Sequence, residues 1–211
     1  MYLYPESAVA VASLLYEYLW YAFYSWKSNS HSFRLKATRP ELSVWIVTGD
    51  GDSLSIGGNH NYSSASREIS MLTYCYFNNQ IYGLTKGQYS PTSETDKVTK
   101  STPVGSIDHP FNPLALAMGA DASFIARSMD RDPKHLQQML MRSHQHKGSS
   151  FLEIYQNCNI FNDGAFEVFT EKNSKPDETL FLEQGKPLVF GAQQNKGIRF
   201  DGSETCCRGN R

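Results

Sequence analysis

The sequence has no paired-cysteine motif, no excess charge of either sign, and no internal repeat or low-complexity tract. Its four cysteines are Cys75, Cys158, Cys206 and Cys207, and no two of them have the CxxC spacing. This spacing argues against a standard zinc site and against a secreted disulfide framework. Because the formal net charge is only −1, neither nucleic acid nor an anionic membrane is an expected partner.

A long uninterrupted apolar run is also missing. Residues 8–24 are mostly apolar, but Glu17 interrupts them near the middle and no basic residue precedes them. A secretory signal needs a positively charged start, and a membrane span needs about 20 apolar residues without a central carboxylate. We therefore expect residues 8–24 to form a helix that is buried or covered by a partner. A polar linker over residues 25–32 and a cytoplasmic location are also expected.

Two strand-like apolar runs are each followed by a polar turn that contains glycine. Residues 44–47 are continuously apolar, as expected of a parallel strand buried on both faces, and Thr48-Gly49-Asp50-Gly51-Asp52 follows them. Residues 72–77 are rich in aromatics and lead into Asn78-Asn79-Gln80-Ile81-Tyr82-Gly83. Both turns would lie at the carboxyl ends of strands, where open α/β sheets bind ligands. With 40% hydrophobic residues among 211, the chain is long enough to bury such a sheet.

The rest of the chain predicts an α/β alternation with a mainly parallel sheet and flanking helices. A crossover helix is expected over residues 53–70 and a long loop over residues 82–113, which are rich in Gly, Ser, Thr and Pro. Helices are expected over residues 113–118 and from Asp132-Pro133 onward, where an N-cap precedes proline. Strands are expected over residues 123–128 and 150–156.

The spacing of the two turns indicates a cofactor. Gly49-Asp50-Gly51 is separated from Asn78-Asn79 by residues 52–77, which matches the thiamine diphosphate signature. Mg²⁺ prefers about six hard oxygen ligands and often shares them with phosphates. Asp50 would supply a carboxylate oxygen, Asn79 an amide oxygen and Ile81 a backbone carbonyl. Glycines let the backbone approach the cofactor, and the following helix would direct N–H groups at the phosphate. A lone Gly-Asp-Gly is also an ordinary tight turn.

The continuation over residues 81–93, IYGLTKGQYSPTS, makes a family resemblance specific. The chain resembles the β subunits of the 2-oxoacid:ferredoxin oxidoreductases, especially the 2-oxoglutarate type, over roughly residues 35–202. The resemblance implies a thiamine diphosphate-binding domain, of the kind that binds the diphosphate through Mg²⁺, over residues 35–158. It implies a C-terminal arm over residues 159–211, which we expect to be truncated.

The same resemblance implies site residues and an activity. The cofactor-binding residues would be Gly49, Asp50, Gly51, Asp52, Asn78, Asn79, Ile81 and Thr85. Lys86 would contact the substrate carboxylate, although a solvated loop lysine is the alternative. The implied reaction is oxidative decarboxylation of a 2-oxoacid, with electrons passing to ferredoxin and the acyl group to coenzyme A. An α subunit would complete the active site.

Cys158 matches the family's last ligand of a [4Fe–4S] cluster, which normally needs four thiolates. The other three expected cysteines have no counterparts here, because the upstream CxxC-type motif and Gly-Cys-Ser turn are missing, as is a His-Gly-Arg turn. A cluster is therefore possible, although three of its expected cysteine ligands are missing, and a structural cysteine is the alternative. We expect residues 1–34 not to be the family's own sequence, through a shifted reading frame or a misassigned start.

Two other functions remain open from the sequence. A non-oxidative thiamine diphosphate decarboxylase would fit the metal turns and the missing cysteines. A truncated, non-catalytic chain that binds a partner would also fit the unmatched N-terminal residues.

Overall fold

The structure is a computed structural model that describes residues 22–23, 28–55, 57–58, 72–200 and 205–209. The chain divides into two compact units, with the boundary between Ala165 and Phe166. The proposed functional residues all lie in the first unit.

The first unit is built on a five-stranded sheet. Its strands are β1 (Ala22–Phe23), β2 (Val44–Gly49), β3 (Leu72–Asn78), β6 (Phe124–Met129) and β7 (Ser150–Tyr155). A separate hairpin is formed by β4 (Ile81–Tyr82) and β5 (Gln88–Tyr89). The sheet order is β1-β2-β3-β7-β6, and each neighbouring pair is parallel. The predicted α/β fold with a mainly parallel sheet is therefore confirmed.

Helices cover both faces of this sheet. They are α1 (Ser28–Thr38), α2 (Asp50–Leu54), α3 (Pro113–Gly119) and α4 (Pro133–Gln145). On one face Leu136, Met139 and Leu140 of α4 pack with Cys75 and Leu152. A second cluster on the other face contains Val44, Ile46, Leu72, Tyr74, Tyr76, Ala117 and Phe151. Every residue of β3 is buried, because β3 lies between β2 and β7 and both of its faces are covered.

Local capping explains why α3 and α4 begin where the sequence predicts. The side chain of Asn112 accepts a hydrogen bond from the Ala115 N–H at 3.1 Å, and Asp132 accepts one from the His135 N–H at 3.2 Å. In each case a proline follows at the first helical position, where its missing N–H costs nothing.

Two predictions near the N-terminus are wrong. Residues 25–32 do not form a linker throughout, because α1 begins at Ser28. Its Leu35 packs against the sheet core, so tertiary packing outweighs the weak helical propensity of the serines. Ala22–Phe23 pairs with β2 as a strand instead of continuing a helix. The rest of residues 8–24 lies outside the described residues.

The crossover after β2 also differs from the prediction at its start. The helix α2 begins at Asp50, not at residue 53, and ends at Leu54. The Gly57 N–H then donates to the Asp52 carbonyl at 2.8 Å, which closes the turn. Residues 56 and 59–71 lie outside the described residues. The predicted loop over residues 82–113 is irregular apart from its contribution to the β4–β5 hairpin.

The second unit contains α5 (Glu167–Thr170), α6 (Lys175–Glu178) and a three-stranded antiparallel sheet. The strands are β8 (Val189–Phe190), β9 (Lys196–Phe200) and β10 (Thr205–Gly209). Lys196 donates to the Asp177 carbonyl at 2.8 Å and so ties β9 to α6. The predicted domain limits at residues 34 and 158 remain predictions.

Among the described helices, none has the length and apolarity needed to cross a membrane.

Candidate cofactor-binding site

The two turns singled out in the sequence meet at one edge of the sheet. Gly49 is opposite Phe77 in the parallel pairing of β2 with β3. Asp50 and Asn78 therefore follow directly at the carboxyl ends of neighbouring strands. Thr92, from the long loop, lies within hydrogen-bond distance of both side chains.

Asp50 is a buried charged group at this edge, with 3% of its surface exposed. Its Oδ2 accepts a hydrogen bond from Ser90 Oγ at 2.5 Å and lies 2.8 Å from Thr92 Oγ1, whose single hydrogen is shared with Asn78. Burial raises the pKa of the Asp50 carboxyl, while the bonds from Ser90 and Thr92 act in the opposite direction. Among the described residues, no lysine or arginine forms a salt bridge with it.

The paired asparagines form the second turn of the site. Asn79 is buried, and its Oδ1 accepts a hydrogen bond from the Ile81 N–H at 3.1 Å. The Asn79 carbonyl accepts from Nδ2 of Asn162 at 3.0 Å. The Asn78 Oδ1 accepts from the Gln80 N–H at 3.2 Å and from Thr92 Oγ1 at 2.9 Å. These bonds hold both amide side chains and fold the chain back into β4.

Sequence reasoning missed the hydroxyl groups that support this edge. Ser90 and Thr92 contact Asp50, and Ser93 Oγ donates to the Gln80 carbonyl at 2.6 Å while accepting from the Ser90 N–H at 2.8 Å. The sequence predicted only a loop break at these positions. The available signal was the clustering of three hydroxyl side chains around Pro91 in a segment that already resembled the family.

Gly51 permits a close approach between α2 and Tyr82. A Cβ atom on Gly51 would lie 2.0 Å from Cε1 and 2.6 Å from Cζ of the Tyr82 ring. The ring is held in place, because its hydroxyl donates to the Gly51 carbonyl at 3.2 Å and lies 2.8 Å from Ser55 Oγ. Glycine is therefore required here by packing.

We predict that Gly51→Ala lowers the free energy of unfolding by about 2 kcal/mol, because the Tyr82 ring must leave its position. Urea denaturation of the full chain measures this loss. The same substitution in a Tyr82→Ala background is the control, since the clash is then absent and the loss should shrink to below about 1 kcal/mol. Equal losses in both backgrounds would contradict the packing explanation.

Lys86 lies in the turn between β4 and β5, with a left-handed φ of 63°. It lines a cavity of about 450 Å³ together with Lys97, Lys100, Ile81 and Ile160. Three lysines around one cavity create a positive environment that favours an anion. The three other predicted residues at the edge differ in exposure: Gly49 is half-buried, whereas Asp52 and Thr85 are exposed.

Tyr76 places a buried hydroxyl on the same face of β3 as Asn78. The residue has no exposed surface, and its hydroxyl has no hydrogen-bond partner among the described residues. Burial raises the pKa of Tyr76, and the carboxylates of Asp50 and Glu153 raise it further.

We predict that Tyr76→Phe raises the free energy of unfolding of the ligand-free chain by about 1 kcal/mol, because an unsatisfied buried hydroxyl is removed. Tyr82→Phe is the matched control. It should lower the free energy of unfolding, since it deletes a hydroxyl that is hydrogen-bonded. Chemical denaturation of both variants makes the comparison. A loss of stability in Tyr76→Phe would show that its hydroxyl has a partner in solution.

Cys75 and Cys158, the cysteines whose side chains the structure describes, do not form a cluster site. Cys158 is half-buried after β7, and its carbonyl accepts a hydrogen bond from the Asn162 N–H at 3.0 Å. Cys75 is fully buried in β3, where burial raises the pKa of its thiol to about 12. No group of three or more His, Cys, Asp or Glu side chains is assembled among the described residues. This donor set does not fit a [4Fe–4S] cluster.

The oxygen groups at the sheet edge do fit a hard divalent cation. Asp50 offers a buried carboxylate without a cationic partner among the described residues, and an unpaired buried charge is costly unless a counter-ion joins it. The amide oxygen of Asn79 and the carbonyl of Ile81 are close in sequence and of the ligand type that Mg²⁺ prefers.

A parallel α/β sheet with such oxygen groups at its carboxyl edge defines a cofactor-binding domain that suits a cation and a diphosphate. Residues 32–154 match the family described as "Thiamine pyrophosphate enzyme, C-terminal TPP binding domain"; thiamine pyrophosphate is another name for thiamine diphosphate. Since the match covers more than half of the chain, the chain belongs to this family.

The more similar relatives confirm the resemblance inferred from the motifs. The chain is 53% identical over 158 residues to the 2-oxoglutarate oxidoreductase subunit KorB of Mycobacterium tuberculosis, covering 75% of this chain and 42% of the relative. It is 40% identical over 145 residues to the 2-oxoacid:ferredoxin oxidoreductase subunit beta of Saccharolobus solfataricus, covering 68% and 47% respectively.

A solved structure has the same fold. The 2-oxoglutarate:ferredoxin oxidoreductase of Magnetococcus marinus, determined with 2-oxoglutarate, coenzyme A and succinyl-CoA bound, superimposes with a TM-score of 0.68 at 29% identity. The match covers 77% of this chain and 54% of that one. The chain thus spans about half the length of the relatives it matches.

Proposed function

We propose that this chain is a subunit of a cytoplasmic oxidoreductase that oxidatively decarboxylates a 2-oxoacid with thiamine diphosphate and Mg²⁺. The acyl group passes to coenzyme A and the electrons to ferredoxin, and 2-oxoglutarate is the proposed substrate. An α subunit completes the active site. The observation that carries the proposal is the buried Asp50 carboxylate beside Asn78 and Asn79 at the sheet edge. The relatives' names support the choice of reaction.

In this proposal the residues of the chain have distinct tasks. Asp50, Asn79 and Ile81 would hold the cation, which would supply positive charge for the diphosphate. Gly49, Gly51, Asp52, Asn78 and Thr85 are the other proposed cofactor-binding positions. When bound, thiamine diphosphate supplies the carbon nucleophile and stabilises the electron pair that decarboxylation leaves behind.

Ser90 prepares the cation site before anything binds. Its hydroxyl donates a hydrogen bond to Oδ2 of Asp50, so the carboxylate is oriented without a rearrangement when the cation arrives. Such preorganisation lowers the cost of binding.

Lys86 is proposed to recognise the substrate carboxylate. Its cavity contains two further lysines as well as Ile81, the residue whose carbonyl is a proposed cation ligand. The cavity therefore extends from the metal turn to a positively charged surface. A dicarboxylate such as 2-oxoglutarate suits this combination, because its second carboxylate needs a cationic partner at a distance from the reacting carbon.

We predict that Lys86→Met raises the KM for 2-oxoglutarate by about 10-fold, through the loss of one charge-assisted contact, and leaves thiamine diphosphate affinity unchanged. Steady-state kinetics with the assembled enzyme measure the first value and calorimetric titration the second. Methionine keeps an unbranched side chain of nearly the same length without the charge, and its backbone strain at positive φ is similar to that of lysine. An unchanged KM would show that Lys86 is a solvated loop lysine that does not contact the substrate.

The proposed function is tested by adding a cognate α subunit and measuring reduction of ferredoxin. Reduction should require 2-oxoglutarate, coenzyme A, thiamine diphosphate and Mg²⁺ together, and omission of any one should abolish it. Release of carbon dioxide without reduction of any acceptor would overturn the oxidative reaction.

One observation favours a second candidate, a non-oxidative decarboxylase. Among the cysteines whose side chains the structure describes, Cys158 is partly accessible and Cys75 is buried, whereas the family's cluster needs four thiolates. Such an enzyme would release carbon dioxide and an aldehyde without coenzyme A or an electron acceptor. Product analysis under those conditions separates the two reactions. A chain that binds no thiamine diphosphate with Mg²⁺, even with its partner present, would instead be a non-catalytic partner-binding protein.

A further inference from the structure

Glu153 is a buried carboxylate that the proposed catalytic roles do not use. It lies in the middle of β7, between the apolar residues Leu152 and Ile154, and none of its surface is exposed. A carboxylate in such a position is costly unless both of its oxygens are satisfied. Its presence therefore calls for a specific explanation.

Both oxygens of Glu153 have partners. Oε2 accepts a hydrogen bond from Nε of Arg127 at 2.6 Å, and Oε1 accepts one from Nδ2 of Asn78 at 2.8 Å. Arg127 is directly opposite Glu153 in the pairing of β6 with β7, and its guanidinium lies 4.7 Å from the centroid of the Tyr155 ring. The ion pair and the ring contact hold the carboxylate still, with Oε1 directed at Asn78.

The bond from Asn78 selects one orientation of its amide. An ionised carboxylate can only accept hydrogen bonds, so the NH₂ group of Asn78 has to face Glu153. The amide oxygen then faces the loop, where it accepts from the Gln80 N–H at 3.2 Å and from Thr92 Oγ1 at 2.9 Å.

Thr92 connects this amide to the proposed cation ligand. Its Oγ1 lies 2.9 Å from Oδ1 of Asn78 and 2.8 Å from Oδ2 of Asp50, yet the hydroxyl has a single hydrogen to donate. The two oxygens therefore compete for it. A reversed Asn78 amide would instead donate to Thr92 and turn the hydroxyl hydrogen fully onto Asp50, which would neutralise part of the charge that attracts a cation.

We propose that Glu153 is a positioning residue for the cation site, which orients the Asn78 amide and through it the Thr92 hydroxyl, so that Asp50 keeps its charge available to a divalent cation. The inference rests on the proposed role of Asp50 as a metal ligand. Glu153 touches neither cation nor cofactor and acts through two intervening side chains.

The test measures Mn²⁺ binding by electron paramagnetic resonance, with the full chain, its α subunit and thiamine diphosphate. Glu153→Gln keeps the size of the side chain but can donate to Asn78, so it no longer selects the amide orientation. We expect the Mn²⁺ affinity to fall by about 10-fold, as for other indirect supports of metal ligands. Thr92→Val removes the connecting hydroxyl, and in that background Glu153→Gln should change the affinity by less than about twofold.

Cys75→Ala controls for a general loss of core stability. Cys75 is fully buried in β3, in the core cluster on the opposite face of the sheet from Tyr76. The Cys75→Ala substitution should lower the thermal unfolding temperature and leave the Mn²⁺ affinity unchanged. If Glu153 were merely structural, Glu153→Gln would behave like this control, or would change the affinity equally in the wild-type and Thr92→Val backgrounds.

The outcomes separate this inference from the proposed function. Wild-type binding of Mn²⁺ with an unchanged affinity in Glu153→Gln overturns the positioning role alone, and so does an equal loss of affinity in both backgrounds. Failure of the wild-type complex to bind Mn²⁺ overturns the metal role of Asp50 and the role of Glu153 with it. If Glu153→Gln lowers the Mn²⁺ affinity only in the background that retains Thr92, the result supports a positioning role of Glu153 that acts through Asn78 and Thr92.

Discussion

The Asp50→Asn variant is expected to bind thiamine diphosphate with Mg²⁺ more than about 100-fold more weakly than the wild type. Mutating a residue that only supports a metal ligand weakens metal binding by about 10- to 100-fold, and loss of the ligand itself should weaken it more. The same substitution should raise the free energy of unfolding of the cation-free chain by about 1 kcal/mol, because it removes a charge that burial disfavours. Opposite signs for binding and stability distinguish a metal ligand from a structural aspartate. Calorimetric titration and urea denaturation measure the two quantities.

The pH dependence of stability provides a second readout for Asp50. Burial raises the pKa of this carboxyl in the folded chain, so the folded state holds its proton more tightly than the unfolded state. The contribution of Asp50 to stability must therefore fall as pH rises from about 4, the ordinary aspartate value, through the raised folded value. Asp50→Asn should lack this contribution. Saturating Mg²⁺ and thiamine diphosphate should reduce it in the wild type, because they stabilise the charged form.

Asp96→Asn is the matched control for Asp50→Asn. Asp96 is exposed and has a φ of 64°, a conformation that asparagine also accepts readily. It should leave both cofactor affinity and the free energy of unfolding within about 0.5 kcal/mol of the wild type. If Asp50→Asn and Asp96→Asn have the same cofactor affinity, Asp50 is not a metal ligand.

Arg127→Met is expected to lower the free energy of unfolding by about 3 kcal/mol, because the buried Glu153 carboxylate then keeps only the neutral amide of Asn78 as a partner among the described residues. The side chain of Arg127 is 39% exposed, which places the effect at the low end for a broken buried pair. Denaturant unfolding measures the loss.

The double variant Arg127→Met with Glu153→Met should recover most of that stability. Two apolar side chains that pack together replace a buried ion pair at little cost in other proteins, and the sheet position of β6 against β7 suits them. A double variant as unstable as the sum of the two single ones would show that Arg127 and Glu153 contribute independently.

Much of the first unit could be predicted from local sequence. Val44 to Val47 formed a strand as expected, since a continuous apolar run suits a sheet covered on both faces. The cap at Asp132 is short-range chemistry and was predicted equally well, as was the start of α3 at Pro113. The start of α2 was predicted three residues too late, because Asp50 belongs at once to a turn motif and to the first turn of a helix.

The site was only partly predictable, for a physical reason. The spacing of two turns after parallel strands brought Asp50 and Asn78 together without any knowledge of the loop. Ser90, Thr92 and Glu153 reach them from other segments, and no local period encodes those contacts. The sequence does contain one indication of the role of Glu153, because this charged residue interrupts the apolar run of β7. A buried parallel strand rarely contains a charged residue unless that residue has a partner.

The pairing of β3 with β7 has a consequence for how the domain folds. Thr73 is opposite Ser150, a partner 77 positions later in the chain, at the centre of the sheet. Contacts at such sequence separation form slowly, because the intervening chain must first be ordered. Asn78 and Glu153 meet only after this pairing, so the edge that holds Asp50 should be assembled late and lost only when the sheet opens. Amide hydrogens of β3 should then exchange by global unfolding, and a cofactor bound at Asp50 should slow their exchange as much as it slows unfolding of the whole unit.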